Sequence, residues 1–93
     1  MTKQLIWATT PVEILHHVRI SNAVGDRLFQ PGVIVLLQNG TSLSGRIFSF
    51  KAGNNFGQVP TGSPPTAYYG AIELTLDDGS SQWIDFQEIQ QIM

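Results

Sequence analysis

The sequence predicts a mainly β domain: a small barrel of about five strongly bent antiparallel strands with one α-helix ahead of them. Three observations predict it. From Val33 onward the apolar residues run at a period of two rather than 3.6. Asn39-Gly40, and then Asp78-Gly79-Ser80, stand between apolar runs where hairpins turn. The helical signal is confined to the stretch before Gly25.

The first nine residues read as an arm, apolar enough at Leu5, Ile6 and Trp7 to dock rather than stay free. Thr10-Pro11-Val12-Glu13 is a helix start: a hydroxyl N-cap, a proline at the first helical position, and a glutamate that completes a capping box. Ile14, Leu15 and Val18 follow at helical spacing, and Gly25 is the expected stop. A helix is therefore expected over about 11–23, within 10–24. Val18-Arg19-Ile20-Ser21 also alternates like a strand. Residues 25–32 read as a connector bounded by turn residues.

The barrel is expected over 33–93. Residues 33–38 form a strand, Asn39-Gly40 a two-residue turn, and residues 41–50 the return strand. That turn sets Gln38 opposite Thr41, Leu36 opposite Leu43 and Ile34 opposite Gly45. Leu36, Leu43, Ile34 and Ile47 then share one face, and Val33, Val35, Leu37 and Phe48 the other. Both faces are apolar, so both need cover. Gly45 suits a bend where a small sheet curls. Residues 51–67, rich in Pro and Gly, are expected to be a long loop. Residues 68–77 make a third strand. A loop about Asp78-Gly79-Ser80 is expected to set Leu76 opposite Gln82, Leu74 opposite Ile84 and Ile72 opposite Phe86, which places Glu73 beside Asp85. A short turn at 86–89 and a last short strand at 90–93 complete the chain.

The length suits one compact domain, so 1–93 is read as a single unit. A domain this small buries a modest share of its surface. Only 13% of residues are charged while 42% are hydrophobic, against about 25% charged in ordinary soluble proteins. The deficit points to a surface covered by a partner or by further copies of the chain, although Ser, Thr, Gln and Asn also keep a surface soluble. The net charge is −2, and Lys3, Arg19, Arg27, Arg46 and Lys51 are scattered. This argues against strong non-specific nucleic-acid affinity, which needs clustered cations; a ring would still gather one Arg per subunit into a patch. The absence of cysteine excludes disulfides and thiolate metal sites. The opening apolar run is too short for a signal peptide, and none approaches a membrane span. A cytoplasmic setting is the expectation.

The hairpin at 33–50, with its Asn39-Gly40 turn, Leu43, Gly45 and the Ser49-Phe50 pair, resembles the first Sm motif, and most closely the bacterial Hfq branch. The chain thus resembles a divergent bacterial or phage-type member of the Sm-like (LSm) family of SH3-like barrels. The upstream helix sits where those proteins carry theirs. Asn55, ten residues after Gly45, falls where Sm proteins place an RNA-contacting Asn. Residues 83–92 are similar to the strand, tight turn and short strand that close an Sm barrel. The resemblance covers about 10–50 and 68–93. It departs at Ala52, where Sm proteins carry Asp; at Asp77-Asp78-Gly79, in place of Arg-Gly; at Ile84-Asp85-Phe86, in place of a Tyr-Lys-His run; and at Gly53, in place of a base-stacking Phe. What the resemblance implies is a homo-oligomeric ring of five to seven copies, joined edge strand to edge strand, in which cyclic pairing would satisfy open sheet edges.

Candidate sites follow. His16-His17 is a candidate ligand pair, but neighbours on a helix diverge by about 100° and chelate poorly; solvated or packing roles are the alternative, and no metal or cofactor is expected. Glu73 and Asp85, placed opposite each other, suit acid–base work or, in the plainer reading, face a neighbour's Arg46 across a subunit contact. Tyr69, Glu73, Trp83 and Asp85 are the candidate interface residues. Lys51, Asn54 and Asn55 match an RNA-contacting loop and, with Arg46, are the candidate RNA-binding residues; a Gly-Asn-Asn loop also needs no function. Tyr68, Tyr69, Phe56 and Trp83 are the candidate base-stacking aromatics, with core or subunit packing as the alternative. No nucleophile–base pairing stands out, so the chain is expected not to be an enzyme. Two readings lead: a ring-forming Sm-like protein with weak single-stranded RNA binding, or a structural, protein-interaction module that kept the barrel and lost RNA binding; a small-molecule or enzymatic site at Glu73 and Asp85 ranks last.

Overall fold

The computed structural model describes residues 5–93. The first four residues of the expected arm, Lys3 among them, lie outside the described residues.

Helix α1 spans Pro11–Arg27 and starts as its sequence dictates. Thr10 Oγ1 accepts from the Glu13 N–H at 3.2 Å. The Glu13 carboxylate accepts in return from the Thr10 N–H at 3.0 Å and the Thr9 N–H at 3.2 Å. These bonds satisfy donors a helix end would otherwise leave open. Gly25 does not stop the helix. Val24 and Leu28 pack into the core on either side of it, and that burial outweighs the low helix propensity of one exposed glycine. His17, Ile20 and Val24 form the buried stripe at helical spacing.

Five strands follow: β1 Val33–Leu37, β2 Ser42–Asn54, β3 Tyr68–Leu76, β4 Ser81–Asp85 and β5 Ile89–Ile92. They form one antiparallel sheet in the order β4-β3-β2-β1-β5. The 3-10 turn Phe86–Glu88 joins β4 to β5. Among the described residues no ladder joins these two strands. The barrel is therefore not closed: β4 and β5 are the two borders of a bent sheet. Helix α1 covers one face, and Ile20, Val24, Val33, Val35, Ile47, Ile72, Leu74, Ile84, Phe86 and Ile89 fill the space between.

The first hairpin is one residue out of the expected register. Leu37 N donates to Thr41 O at 2.8 Å and Gly40 N to Leu37 O at 3.0 Å, so the loop holds three residues, with Gly40 at φ 88°. Val35 pairs with Leu43 and Val33 with Gly45. A one-residue slip exchanges the faces. Val33 and Val35 are buried, Ile34 is exposed, and Phe48 is exposed instead of sharing the face of Val33. Phe48 is the extra residue of a β-bulge between Ile47 and Ser49. The bulge sends Ile47 and Phe50 to the same face of β2, although they are three positions apart. Gly45 lies against β3, where a Cβ would collide with the Thr75 carbonyl.

The second hairpin departs differently. Leu76 N donates to Ser80 O at 2.7 Å, and Ile72 pairs with Ile84, Glu73 with Trp83 and Ala71 with Asp85. The expected partners are thus displaced by two residues. A slip of two preserves the faces, so Ile72, Leu74, Ile84 and Phe86 all point inward as expected. The expected loop 51–67 is shorter. Strand β2 continues through Lys51–Asn54, where Ala52 pairs with Gly70 and Asn54 with Tyr68, and only 55–67 lies outside the strands.

Candidate functional site

One face of the β2–β3–β4 ladder gathers Ser49, Lys51, Glu73 and Trp83. The bulge puts Ser49 opposite Glu73 and Lys51 opposite Ala71; the next strand puts Trp83 opposite Glu73. The side chains connect accordingly. Ser49 Oγ donates to Glu73 Oε1 at 3.0 Å. Lys51 Nζ lies 4.9 Å from the centroid of the Trp83 ring, a cation–π distance.

Glu73 and Asp85 are not opposite each other, which corrects the expected carboxylate pair. Asp85 faces Ala71 and is buried. Its Oδ2 accepts from the Ile6 N–H and its Oδ1 from the Gln87 N–H, both at 2.9 Å. One carboxylate thus pins the arm and caps the turn that leads to β5. The arm also bridges Ala8 to Tyr68 and sets Trp7 edge-on to Tyr69, ring centroids 5.0 Å apart. Tyr69 in turn lies across Gly53, where a Cβ would come within 2.7 Å of its ring.

The candidate RNA residues are only partly brought together. Arg46 and Asn54 lie eight residues apart on β2, roughly 25 Å at the rise of a strand. Arg46 sits with Pro31, Phe48 and Asp77 in a separate cleft of about 400 Å³. Lys51, Asn54 and Asn55 share the other end of β2. Asn55 is bound into its own loop: its Nδ2 donates to Thr66 Oγ1 at 2.9 Å, while its Oδ1 accepts from Thr66 N at 2.9 Å and Ala67 N at 3.1 Å. Asn54 Oδ1 accepts from Phe56 N at 2.9 Å. Phe50 and Phe56 are exposed. His16 and His17 diverge: His16 Nε2 lies 3.1 Å from Phe86 O, whereas His17 is buried.

Two features escaped the sequence reading. A cleft of about 510 Å³ separates α1 from the outer strand β5, lined by Arg19, Ile20, Ala23, Gln90, Gln91 and Ile92. Nothing in a polar stretch such as Gln90-Gln91 signals a cleft. Val12, Leu15 and Val18 stand exposed along α1, a stripe whose spacing of three was visible. No helix among the described residues is long and apolar enough to cross a membrane.

A five-stranded bent antiparallel sheet in this order, behind an N-terminal helix, defines an Sm-like fold. Among solved structures the chain is similar to XC5848 of Xanthomonas campestris, described as adopting a novel variant of the Sm-like motif. The TM-score is 0.63 over 99% of this chain and 92% of that one, at 11% sequence identity, so the likeness is one of fold. No family model and no curated protein matches the sequence.

Proposed function

We propose that the chain is a ring-forming Sm-like subunit that works by assembly rather than by catalysis, in a cytoplasmic setting, with β4 of one copy pairing with β5 of the next in rings of five to seven. Within the Sm-like class we read the chain as a divergent bacterial or phage-type member near the Hfq branch, a reading supported by the resemblance of its hairpin at 33–50 to the first Sm motif. The observation that carries the reading is the open sheet: among the described residues β4 and β5 are both border strands, and a border strand can take up a further strand. The cleft beside β5 leaves room for one. Engaged Asn55, the Lys51–Trp83 contact and the acidic net charge favour a protein-interaction module that has lost RNA binding. Phe50 and Phe56, both exposed aromatic rings, favour the second reading, weak binding of single-stranded RNA.

Light scattering during size-exclusion chromatography tests assembly. Five to seven copies of the 10.2 kDa chain are expected, and a solution mass of one chain would end the proposal. The Leu76–Ser80 bond sets the alternation along β4, so the Ser81 N–H points to the open border. Ser81→Pro removes that donor and is expected to yield monomers that remain folded by circular dichroism. Titration of labelled oligo-U and oligo-A at low salt separates the two ligand readings: micromolar binding supports RNA, and none supports the interaction module.

A further inference from the structure

His17 lies where α1, β3 and the Phe86–Glu88 turn meet. It is 7% exposed, with its ring 5.5 Å from Tyr68 and 5.3 Å from Phe86, centroid to centroid. Its Nδ1 is buried without a hydrogen-bond partner. Buried polar atoms in that condition are uncommon, and each is a place where a change of state has leverage. Burial pushes the imidazole below its ordinary value of 6.5; Asp85 acts in the opposite sense, and His16 in the same sense as burial.

The groups around it are already engaged. From β4, Asp85 holds the Ile6 and Gln87 N–H groups. From β3, Tyr68 presents its ring. On α1 itself, Glu13 is bound to Thr9 and Thr10, and His16 bridges Phe86 O and Arg19 Nη2. An imidazolium at this place has two remedies. Water reaches the ring if α1 lifts from Tyr68 and Phe86, or Asp85 turns toward the ring and lets go of Ile6. Both loosen the same seam.

We propose that His17 is an acid-operated latch: uptake of one proton by its buried ring opens the seam between α1 and the β3–β4 layer and releases the arm held at Asp85. The folded chain binds this proton less readily than the unfolded chain. The stability contributed by neutral His17 is therefore complete above about pH 6.5 and is lost as pH falls through that value toward the lower folded one. Within that window the folded-to-unfolded ratio drops by up to about tenfold per pH unit.

The test is an NMR titration of the full chain that follows the His17 imidazole, in buffer and unfolded in urea, together with amide exchange at Ile6 and Ala8. The expected result is a lower His17 midpoint in the folded chain, with protection at Ile6 and Ala8 lost alongside the imidazole titration. His17→Phe fills the place between Tyr68 and Phe86 without a titrating nitrogen and is expected to keep that protection in acid. Equal midpoints in the folded and unfolded chains would overturn the latch, as would identical loss of protection in His17→Phe. If that variant does not fold, the wild-type titration decides alone: arm exchange that fails to track the imidazole overturns it.

Discussion

The body of the molecule and the far end of its longest hairpin are built on different principles. In the body, β2 and β3 are flanked by β1 and β4 and covered by α1, and the buried cluster lies there. Beyond Ala71 the pair continues as a ribbon, with Ala52–Gly70, Gly53–Tyr69 and Asn54–Tyr68 pairs and one bridge to the arm at Ala8. The ribbon and its loop carry no member of the buried cluster. At the base of the ribbon Phe86 lies over Gly70 and His17 against Tyr68; beyond that they are held by backbone pairing, the Asn55 bonds, Tyr69 across Gly53 and Trp7 against Tyr69. Burial makes the body cooperative; local bonds let the ribbon open on its own.

Three substitutions or conditions sharpen this contrast, beginning with the body. Phe86→Ala removes a fully buried ring that packs over Gly70 and His17. It is expected to cost about 4 kcal/mol, a large part of what a domain of this size holds, as a shift in the urea midpoint. Asn55→Ala removes the three bonds that tie the loop to the end of β2. It is expected to cost about 1 kcal/mol globally, while the Thr66 and Ala67 amides lose most of their exchange protection. A global loss as large as that of Phe86→Ala would show that ribbon and body form one cooperative unit.

The smallest effect belongs to the start of α1. The Thr10 N–H, followed by that of Thr9, holds the Glu13 carboxyl below its ordinary 4.5. A lowered folded value gives stabilisation that is complete above the unfolded value and lost as pH falls through the folded one. The helical dichroism is therefore expected to show a slight Glu13-dependent loss only below about pH 4.5, absent in Glu13→Gln. That window lies apart from the one assigned to His17.

How much of this was legible in the sequence depended on how many signals agreed at a position. The start of α1 was legible because Thr10, Pro11 and Glu13 each specify the same end of a helix. Its end was not, because Gly25 argues for a stop while Val24 and Leu28 are retained by burial. The Asn39-Gly40 turn was legible in place but not in length. Both faces of residues 33–37 are apolar, so the pattern could not choose between registers one residue apart. In the second hairpin the alternation is clean, and the inward face was read correctly even though the cross-strand partners were two residues off. That error created the supposed Glu73–Asp85 pair and hid the role of Asp85 as an arm clamp. The ribbon was hidden by Gly53 and by the prolines that follow it, residues that read as loop until Tyr69 is seen lying across Gly53.

By itself, then, the sequence determined the kind of structure: one capped helix, strands at period two, turns at two Asx-Gly sites, and a surface short of charge. These are properties of neighbouring residues, and local sterics and bonding suffice to specify them. The tertiary structure alone decided which carboxylate is buried, which histidine enters the core, which strands border the open sheet, and which asparagine is tied across the loop. Those outcomes depend on residues far apart in the chain competing for the same interior volume and the same hydrogen bonds, and no short stretch of sequence contains both competitors.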